Sequence, residues 1–389
     1  MKDDARDRVE LKVRGSRYAG WQEITVTRGI EMAAATFDLR VSERFPGQRQ
    51  PLRIVPGDAC EVFIGGDKVI TGYVDDVAPE YDDHDHSVRV NGRSKTGDLV
   101  DCSAINVPGQ WRGATMQQIA TDMASVYGVN VRSEVDTAPA FPEFQLQQGE
   151  TVFAAIERMA RIKAVLVTDD EDGNLVITRA GKEGSGGAIV LGANVKKGGG
   201  TFSMKDRFSE YLVKGQQAGD DDKSAGTIAA TRGSAKDSLV KRKRVLLLVA
   251  EAQADDARCE ARARWEAVSR AGKATECTYT VQGWRENTGA LWRPNTLIPI
   301  SDAFLGVHTS MLATTIMFTI TEEGSITVIT VQPPGAFELL SELEDDASAE
   351  GGDNAGTNIW KSLGGDADDE GDASNTDASG AVIDEDMDE

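Results

Sequence analysis

The stretch from Pro56 to Ser103 most constrains the fold, because short β-rich segments alternate in it with strong turn signals. Three strand patterns and two turns follow one another: 60–64, the turn 65–67, 69–77, the acidic turn 82–85 and 87–90. The glycine pair at 65–66 is typical of a tight hairpin. Gly72, inside the second strand pattern, indicates a bend or a close backbone approach. The stretch therefore predicts an antiparallel β meander of the kind that builds a barrel.

A second stretch, Pro294 to Val331, repeats this layout. A Pro-Asn pair is followed by a short strand pattern, a loop, a long strand pattern over 311–321, the turn 322–324 and a final strand pattern over 325–331. Residue identity between the two stretches is low, so the repeat is one of pattern. The layout predicts two similar β modules in one chain.

Between the two stretches the hydrophobic period changes from two to 3.6. Residues 116–127 carry an apolar helical face, with Thr115 as a candidate N-cap and Gly128 as a candidate helix end. A second amphipathic helix is predicted over 150–162, and 164–178 has the pattern of a hairpin. Two helices and a hairpin predict a compact α+β insertion.

The fold class that follows is mainly β with an α+β insertion and an acidic C-terminal tail. The predicted segments are 1–96, 97–190, 191–337 and 338–389. Within the third segment, residues 218–238 are polar and poor in apolar residues, which predicts an exposed loop. A helix is predicted over 254–269, with Ala257, Ala261, Trp265 and Val268 on its buried face.

Charge is distributed unevenly along the chain. Of 64 acidic and 42 basic residues, 18 acidic and one basic fall in 338–389, which leaves a net charge of −5 for residues 1–337. A body of that charge lacks the basic surplus of a nucleic-acid-binding protein. A mildly acidic surface suits a conduit through which DNA passes without specific binding.

Four widely spaced cysteines, Cys60, Cys102, Cys259 and Cys277, contain no C-x-x-C pair and no histidine at ligand spacing. The pattern predicts reduced core thiols rather than a disulfide framework or a zinc site. The N-terminus lacks the apolar region of a secretory signal. The longest apolar run, 245–250, is far shorter than the roughly 20 residues that span a bilayer, so no membrane anchor is predicted.

Motifs for catalysis or cofactor binding fail on spacing. A phosphate loop would need glycines at Arg89 and Ser94, and the G-x-S-x-G nucleophile turn has Thr96 in place of its last glycine. The segment 184–189 lacks the last glycine of a dinucleotide fingerprint. His84, His86 and Asp82 are weak candidates for a metal site, against a solvated turn as the simpler interpretation. We therefore predict no catalytic residue, no resident metal and no cofactor.

Two further features allow alternative interpretations. The basic run 241–244 is either a nucleic-acid patch or, as its apolar continuation favours, a charged strand start or a contact for an acidic neighbour. In the acidic tail, Ile359, Trp360 and Leu363 form the apolar cluster, which is either a short partner-docking element or a chance occurrence. We predict docking.

Several segments together resemble one protein family. They are GDACEVFIGGDKVITGYVDDV (57–77), VRVNGRSKTGDLVDCSA (88–104), GETVFAAIERMAR (149–161), GNLVITRA (173–180), DRFSEYLVKGQ (206–216) and VQGWRENTGALWRPNTLIPISD (281–302). In this order they resemble the baseplate hub proteins, of the tail protein P type, of Mu-like contractile-tailed bacteriophages. The resemblance covers about residues 8–337 and stops before the acidic tail.

The resemblance implies a structural, non-enzymatic homotrimer with two similar β-barrel hub domains per chain, in segments 1–96 and 191–337. Such a hub joins a threefold tail spike protein to the sixfold tail tube protein, contacts other baseplate (wedge) proteins and lets DNA pass through its channel. It implies assembly in the host bacterial cytoplasm and a final place in the virion baseplate. The insertion over 97–190 would be peripheral and LysM-like. Two modules in each of three chains give six tube-facing units.

Two other classes stay open. A tail-associated peptidoglycan hydrolase or cell-wall-binding protein would use the α+β insertion, with Glu150 or Glu157 as the carboxylate to test. A secretion-system spike component would share the hub architecture, but would normally continue into long β-repeats where this sequence has an acidic tail.

Overall fold

The computed structural model describes residues 7–42, 54–83, 86–181, 183–216, 232–253, 256–321 and 324–338. As predicted, the fold is mainly β with an α+β insertion. Its largest element is one 13-stranded sheet that contains strands from both β stretches. The N-terminal part of this sheet, called the first module here, consists of β1 (Val9–Val13), β2 (Ser16–Tyr18), β3 (Glu23–Gly29), β4 (Thr36–Ser42), β5 (Ala59–Ile64), β6 (Asp67–Tyr81) and β7 (His86–Ser94).

The α+β insertion follows the first module and has its own core. Its elements are α1 (Gly97–Asp101), β8 (Gln110–Ala114), α2 (Met116–Ala124), β9 (Val131–Ser133), β10 (Phe141–Gln145), α3 (Val152–Lys163), β11 (Leu166–Asp169) and β12 (Leu175–Thr178). Thr115 and Gln118 form a capping box on α2, and Gly128 adopts the left-handed conformation after the helix. Both predicted end signals of this helix are therefore confirmed.

The rest of the chain adds a small sheet and completes the large one. The strands are β13 (Ile189–Val190), β14 (Val195–Phe202), β15 (Glu210–Gln216), β16 (Arg232–Lys236), β17 (Val245–Gln253), β18 (Thr275–Gln282), β19 (Leu297–Ser301), β20 (Ser310–Thr321) and β21 (Gly324–Gln332), with α4 (Asp256–Lys273) between β17 and β18. Strands β13, β14 and β18–β21 are the second module. Strands β15–β17 form a separate three-stranded sheet against α4.

The two modules share one core. The large sheet runs in the order β14-β18-β21-β20-β3-β4-β7-β6-β5-β1-β2, and β19 pairs with β20 and β13. Apolar side chains at alternate positions of these strands form one cluster, which includes Leu11, Leu39, Ile64, Phe318 and Ile329. The period-two patterns of both sequence stretches are confirmed as strands with one buried face.

Two predictions in the C-terminal half need correction. The loop predicted over 218–238 includes β16, which pairs with β15 and packs on α4. The pattern missed this strand because its residues are small: a Cβ added at Gly233 would overlap the helix backbone at Cys259 and Glu260. Residues 218–231 of that loop lie outside the described part.

The helix predicted over 254–269 runs to Lys273, and its buried face differs from the predicted one. The buried positions are Cys259, Ala263, Glu266, Ser269 and Gly272, whereas Val268 is 38% exposed. Gly272 lies within the last turn of the helix and packs so closely on the backbone of Ala336 that a Cβ there would overlap it. Small residues, which allow close approach, mark this face better than hydrophobicity does.

Gly72 provides a test of the packing of β6 on β7. The predicted close approach is confirmed, because a Cβ at Gly72 would overlap the carbonyl oxygen of Arg93. We expect Gly72→Ala to lower the free energy of unfolding by about 3 kcal/mol, the upper part of the range for overpacking. Denaturant unfolding measures this, with Gly184→Ala as the control, since a Cβ at Gly184 has no atom within 4 Å. Equal stabilities of the two variants would contradict the steric account.

Candidate assembly surfaces

The two modules are built alike down to an irregularity in their long strands. In the first module β5, β6 and β7 form a meander, and in the second β19, β20 and β21 do. The ladder between β6 and β7 shifts by one residue between Val74 and Asp76, and the ladder between β20 and β21 shifts between Ala313 and Thr315. A β-bulge at the same place in each meander makes Val74 the counterpart of Ala313.

The modules are joined by strand pairing. Beyond its bulge, β20 pairs antiparallel with β3 of the first module, from Thr315 opposite Gly29 to Thr319 opposite Thr25. The ladder begins with a 2.9 Å hydrogen bond from the Ile30 N–H to the Thr314 carbonyl. This junction buries Ile316 and Phe318, so the sheet crosses from one module to the next without a gap.

Arg285 also connects the modules. Its guanidinium donates hydrogen bonds to the Asp67 carboxylate at 2.7 Å and to the Ile64 carbonyl at 3.2 Å, at the turn between β5 and β6. The same side chain donates to the Gly289 carbonyl of its own loop at 2.9 Å. Sequence patterns did not single out Arg285, because its role depends on a contact more than two hundred residues away in the chain.

The strand β6 is longer than its sequence pattern suggested. The pattern ends at Val77, but the strand continues to Tyr81, paired with β7 on one side. Within the described residues no strand pairs with its other side beyond Val74, and Tyr81 is 82% exposed. Val77, Pro79 and Tyr81 alternate with polar or small residues, which is a strand pattern. Because proline is rare inside strands, Pro79 obscured this pattern in the sequence.

A second open edge lies at the far end of the large sheet. Strand β14 pairs with β18 on one side and, among the strands of the described ranges, with none on the other. Residues 196–201 of this strand, Lys-Lys-Gly-Gly-Gly-Thr, are all exposed. Open edges present unpaired N–H and C=O groups and serve as templates for strand addition. Among the open edges of the described strands, the outer part of β6 lies in the first module and β14 lies in the second.

The insertion is attached to the first module by a buried carboxylate. Asp169 accepts a 2.9 Å hydrogen bond from the Ala35 N–H, Thr168 donates to the Gly29 carbonyl, and Thr71 donates to the Glu171 carbonyl. Burial raises the pKa of Asp169, and this effect outweighs the nearby positive charge of Arg28. The hairpin β11-β12 thus holds the insertion against the strands β3 and β6.

The described residues at the acidic turn 82–85 do not form a metal site. The His86 ring stacks on Tyr81 with centroids 5.8 Å apart, and Asp82 is exposed at the strand end. Within the described ranges, no group of three or more potential metal ligands comes together. His84 lies outside those ranges, so the absence of a metal stays a prediction.

The carboxylates and thiols named from the sequence occupy structural positions. Glu150 accepts hydrogen bonds from Arg158 at 2.8 Å and from the Gln147 N–H at 2.6 Å, and Glu157 is exposed beside Arg161. None of the four cysteines forms a disulfide, and all except the half-buried Cys102 are buried. Burial raises the pKa of Cys60 to about 12 and that of Cys277 to about 11, which disfavours the nucleophilic thiolate.

The basic run 241–244 ends in a structural arginine. Arg244 donates to the carbonyls of Met204 and Lys205, both at 2.7 Å, and its guanidinium lies 5.0 Å from the centre of the Phe208 ring. These contacts agree with the interpretation of the run as a strand start.

The docking residues predicted in the tail, Ile359, Trp360 and Leu363, lie outside the described residues and stay a prediction. None of the described helices is long and apolar enough to cross a membrane.

Asp169 predicts a pH dependence of stability. Because its folded pKa is raised, the stability it contributes is fully present below the unfolded value of about 3.9 and is lost as pH rises through the folded pKa. We expect the melting temperature to fall with pH in this window relative to Asp169→Asn, which cannot ionise. Asp172→Asn, at an exposed position in the same hairpin, is the control. Parallel profiles for the wild type and Asp169→Asn would count against this role.

Comparison with known proteins assigns the three regions consistently. Residues 8–94 match the family model described as Mu phage baseplate assembly protein GpP-like, N-terminal. Residues 96–179 match baseplate hub protein gp44-like, second domain, and residues 255–340 match Mu phage baseplate assembly protein GpP, fourth domain.

Whole-chain similarity agrees with these matches. The chain is 34% identical over 357 residues to the baseplate hub protein gp44 of Escherichia phage Mu, covering 90% of this chain and 93% of the relative. It superimposes on the 43 kDa tail protein of prophage MuSo2 from Shewanella oneidensis with a TM-score of 0.75 at 38% identity, covering 86% and 100%. A tail protein from Neisseria meningitidis, at 21% identity, shares the fold with a TM-score of 0.70 over 85% and 98%. The chain therefore belongs to the family of Mu-type phage baseplate hub proteins, and its role is that of a structural component of the phage tail baseplate.

Proposed function

We propose that this hub assembles as a homotrimer that adapts a threefold tail spike protein to the sixfold tail tube protein and nucleates tube assembly. The observation that carries the proposal is the junction between β3 and β20. Within one chain it joins two modules of the same layout through a continuous antiparallel ladder. If three chains repeat such junctions around an axis, six modules face the tube while each chain supplies one insertion.

The open strand edges support assembly as the mode of action. The outer part of β6 and the whole of β14 present backbone groups that no described strand of the same chain satisfies. In a monomer such edges are an aggregation hazard, whereas in a ring they are covered by neighbours. Contacts to the spike, to the tube and to other baseplate (wedge) proteins would use the ends of this ring.

Passage of DNA through the ring is consistent with the charge of the body. Residues 1–337 carry a net charge of −5, so the chain lacks the cationic excess that would retain a polyanion. We therefore propose a channel without specific DNA binding. The particle would be assembled in the host bacterial cytoplasm, and the hub would remain in the virion baseplate. The acidic tail would dock a partner through Ile359, Trp360 and Leu363.

The oligomeric state tests the proposal directly. We expect light scattering at micromolar concentration to give a mass of three chains, because closure of the ring covers all β6 and β14 edges at once. Mixing with purified spike protein should then give a complex of one hub trimer and one spike trimer. A stable monomer with no affinity for spike or tube would overturn the proposal.

A non-enzymatic role is tested by zymography on peptidoglycan. We expect no clearing by the wild-type chain, because Glu150 is held by Arg158 and the Gln147 N–H, and Glu157 lies on the open surface of α3. A lysozyme standard is the positive control. Clearing by the wild type that is lost in Glu150→Gln or Glu157→Gln, with folding unchanged by circular dichroism, would establish the hydrolase alternative.

A further inference from the structure

We propose that neighbouring chains join by antiparallel pairing of β6 of one chain with β14 of the next, with Val77 opposite Phe202 and Pro79 opposite Gly200. The inference rests on the proposed trimer and specifies the surface and the register through which it closes. Its template is present within the chain, in the pairing of β20 with β3.

The two bulges show which residues of β6 and β20 correspond. Aligned bulges make Val74 the counterpart of Ala313, and counting onward makes Val77 the counterpart of Ile316 and Pro79 that of Phe318. The same count makes Val90 in β7 the counterpart of Ile329 in β21.

The correspondence between the modules extends to β14. Leu39 in β4 pairs with Val90, and Tyr279 in β18 pairs with Ile329, the counterpart of Val90. Strand β18 therefore corresponds to β4. Ile24 in β3 pairs with Leu39, and Gly198 in β14 pairs with Tyr279. Strand β14 is therefore the counterpart of β3, with Gly200 in the place of Val26 and Phe202 in that of Arg28.

The register between chains follows from these correspondences. Within the chain, Ile316 lies opposite Arg28 and Phe318 lies opposite Val26. Replacing each residue by its counterpart gives Val77 opposite Phe202 and Pro79 opposite Gly200. The next outward pair along the strands is Tyr81 opposite Gly198.

The direction of the backbone groups agrees with this register. The Ser94 N–H donates to the Ala35 carbonyl, so the backbone groups of Ser94 point toward β4. Successive residues of a strand direct their backbone groups to opposite sides, so those of Arg89 and Ser87 point toward β6. Their partners Ala78 and Glu80 then face β7. The backbone groups of Val77, Pro79 and Tyr81 consequently point to the open side.

The same reasoning applies to β14. The Ser203 N–H donates to the Ala274 carbonyl, so the backbone groups of Ser203 point toward β18. Because this direction alternates along the strand, the backbone groups of Thr201 point toward β18 as well. Gly198, Gly200 and Phe202 then point to the open side. The outward-facing residues of the two strands are those that the register brings together. Pro79 lacks an N–H group, so its pair with Gly200 has one hydrogen bond where the other pairs have two.

Burial gives an independent reason for the contact. Ile316 and Phe318 are 0% and 1% exposed in the junction within the chain, whereas Pro79 and Tyr81, on the corresponding row of β6, are exposed. Pairing would cover this row.

Charge favours a second copy of the chain as the occupant. The outer part of β6 carries Asp76 and Glu80 and is followed by Asp82, and β14 carries Lys196 and Lys197 near its start. The proposed register places Lys197 opposite Asp82, and opposite charges facing each other across a ladder are stabilising. Six strands separate β14 from β6 in the sheet of one chain, so the two edges are available to different neighbours.

Disulfide trapping tests the register. Ala78 and Thr201 face each other in it at a site without mutual hydrogen bonds, where Cα atoms lie about 4.5 Å apart, within the range that a disulfide spans. In a Cys102→Ser background, we expect oxidised Ala78→Cys/Thr201→Cys to form covalent dimers and trimers on non-reducing gels. The control Glu80→Cys/Thr201→Cys uses the same face two residues away and should crosslink at least about tenfold less.

Single variants show whether the contact joins two different edges. Ala78→Cys alone and Thr201→Cys alone should stay uncrosslinked, and an equimolar mixture should give dimers only. Crosslinking of Ala78→Cys with itself would mean that two β6 edges meet, which would overturn the inference.

Light scattering of the reduced double variant separates the two proposals. A trimer that does not crosslink between positions 78 and 201, or that crosslinks equally in the control, would overturn the strand pairing and leave the hub proposal standing. A monomer would overturn both.

Discussion

The structure depends on the antiparallel ladder between β3 and β20, because this ladder makes two modules one sheet. Its register is fixed by the buried side of each strand: a slip by one residue would turn Ile316 and Phe318 away from the core. The bulge in β20 just before the ladder directs the strand away from β19 and toward β3. Arg285 then fixes the turn of the first module against the second.

The additions to the modules break their equivalence. The insertion is held on the first module by the buried Asp169, and the small sheet β15–β17 lies against α4, which contacts β18 of the second module. In the proposed trimer the shared meanders repeat six times, whereas these additions repeat three times. One chain can therefore present a sixfold surface through its sheet and a threefold surface through its additions, because only the strands of the common layout occur in both modules.

Sequence patterns predicted the elements whose burial is one-sided and local. The alternation in β5–β7 and β19–β21 and the end signals Thr115 and Gly128 were sufficient to assign strands and a helix. They did not predict β16 or the buried face of α4, because Gly233 and Gly272 are selected by backbone contacts with distant segments. For the same reason they did not predict the continuous sheet, since nothing near β3 or β20 in the sequence indicates that the two strands pair.

The open edges of β6 and β14 are exposed, but both have features that weaken strand pairing with other chains. Pro79 removes one donor from the edge of β6, and the three glycines of β14 have no side chains to pack across the contact. A single contact between two such edges is consequently weak. In a closed ring the last contact joins partners that are already held together, so its entropic cost is small and all the contacts stabilise one another. Weak edges of this kind favour the closed ring over open chains of subunits, which is what a hub of fixed size requires.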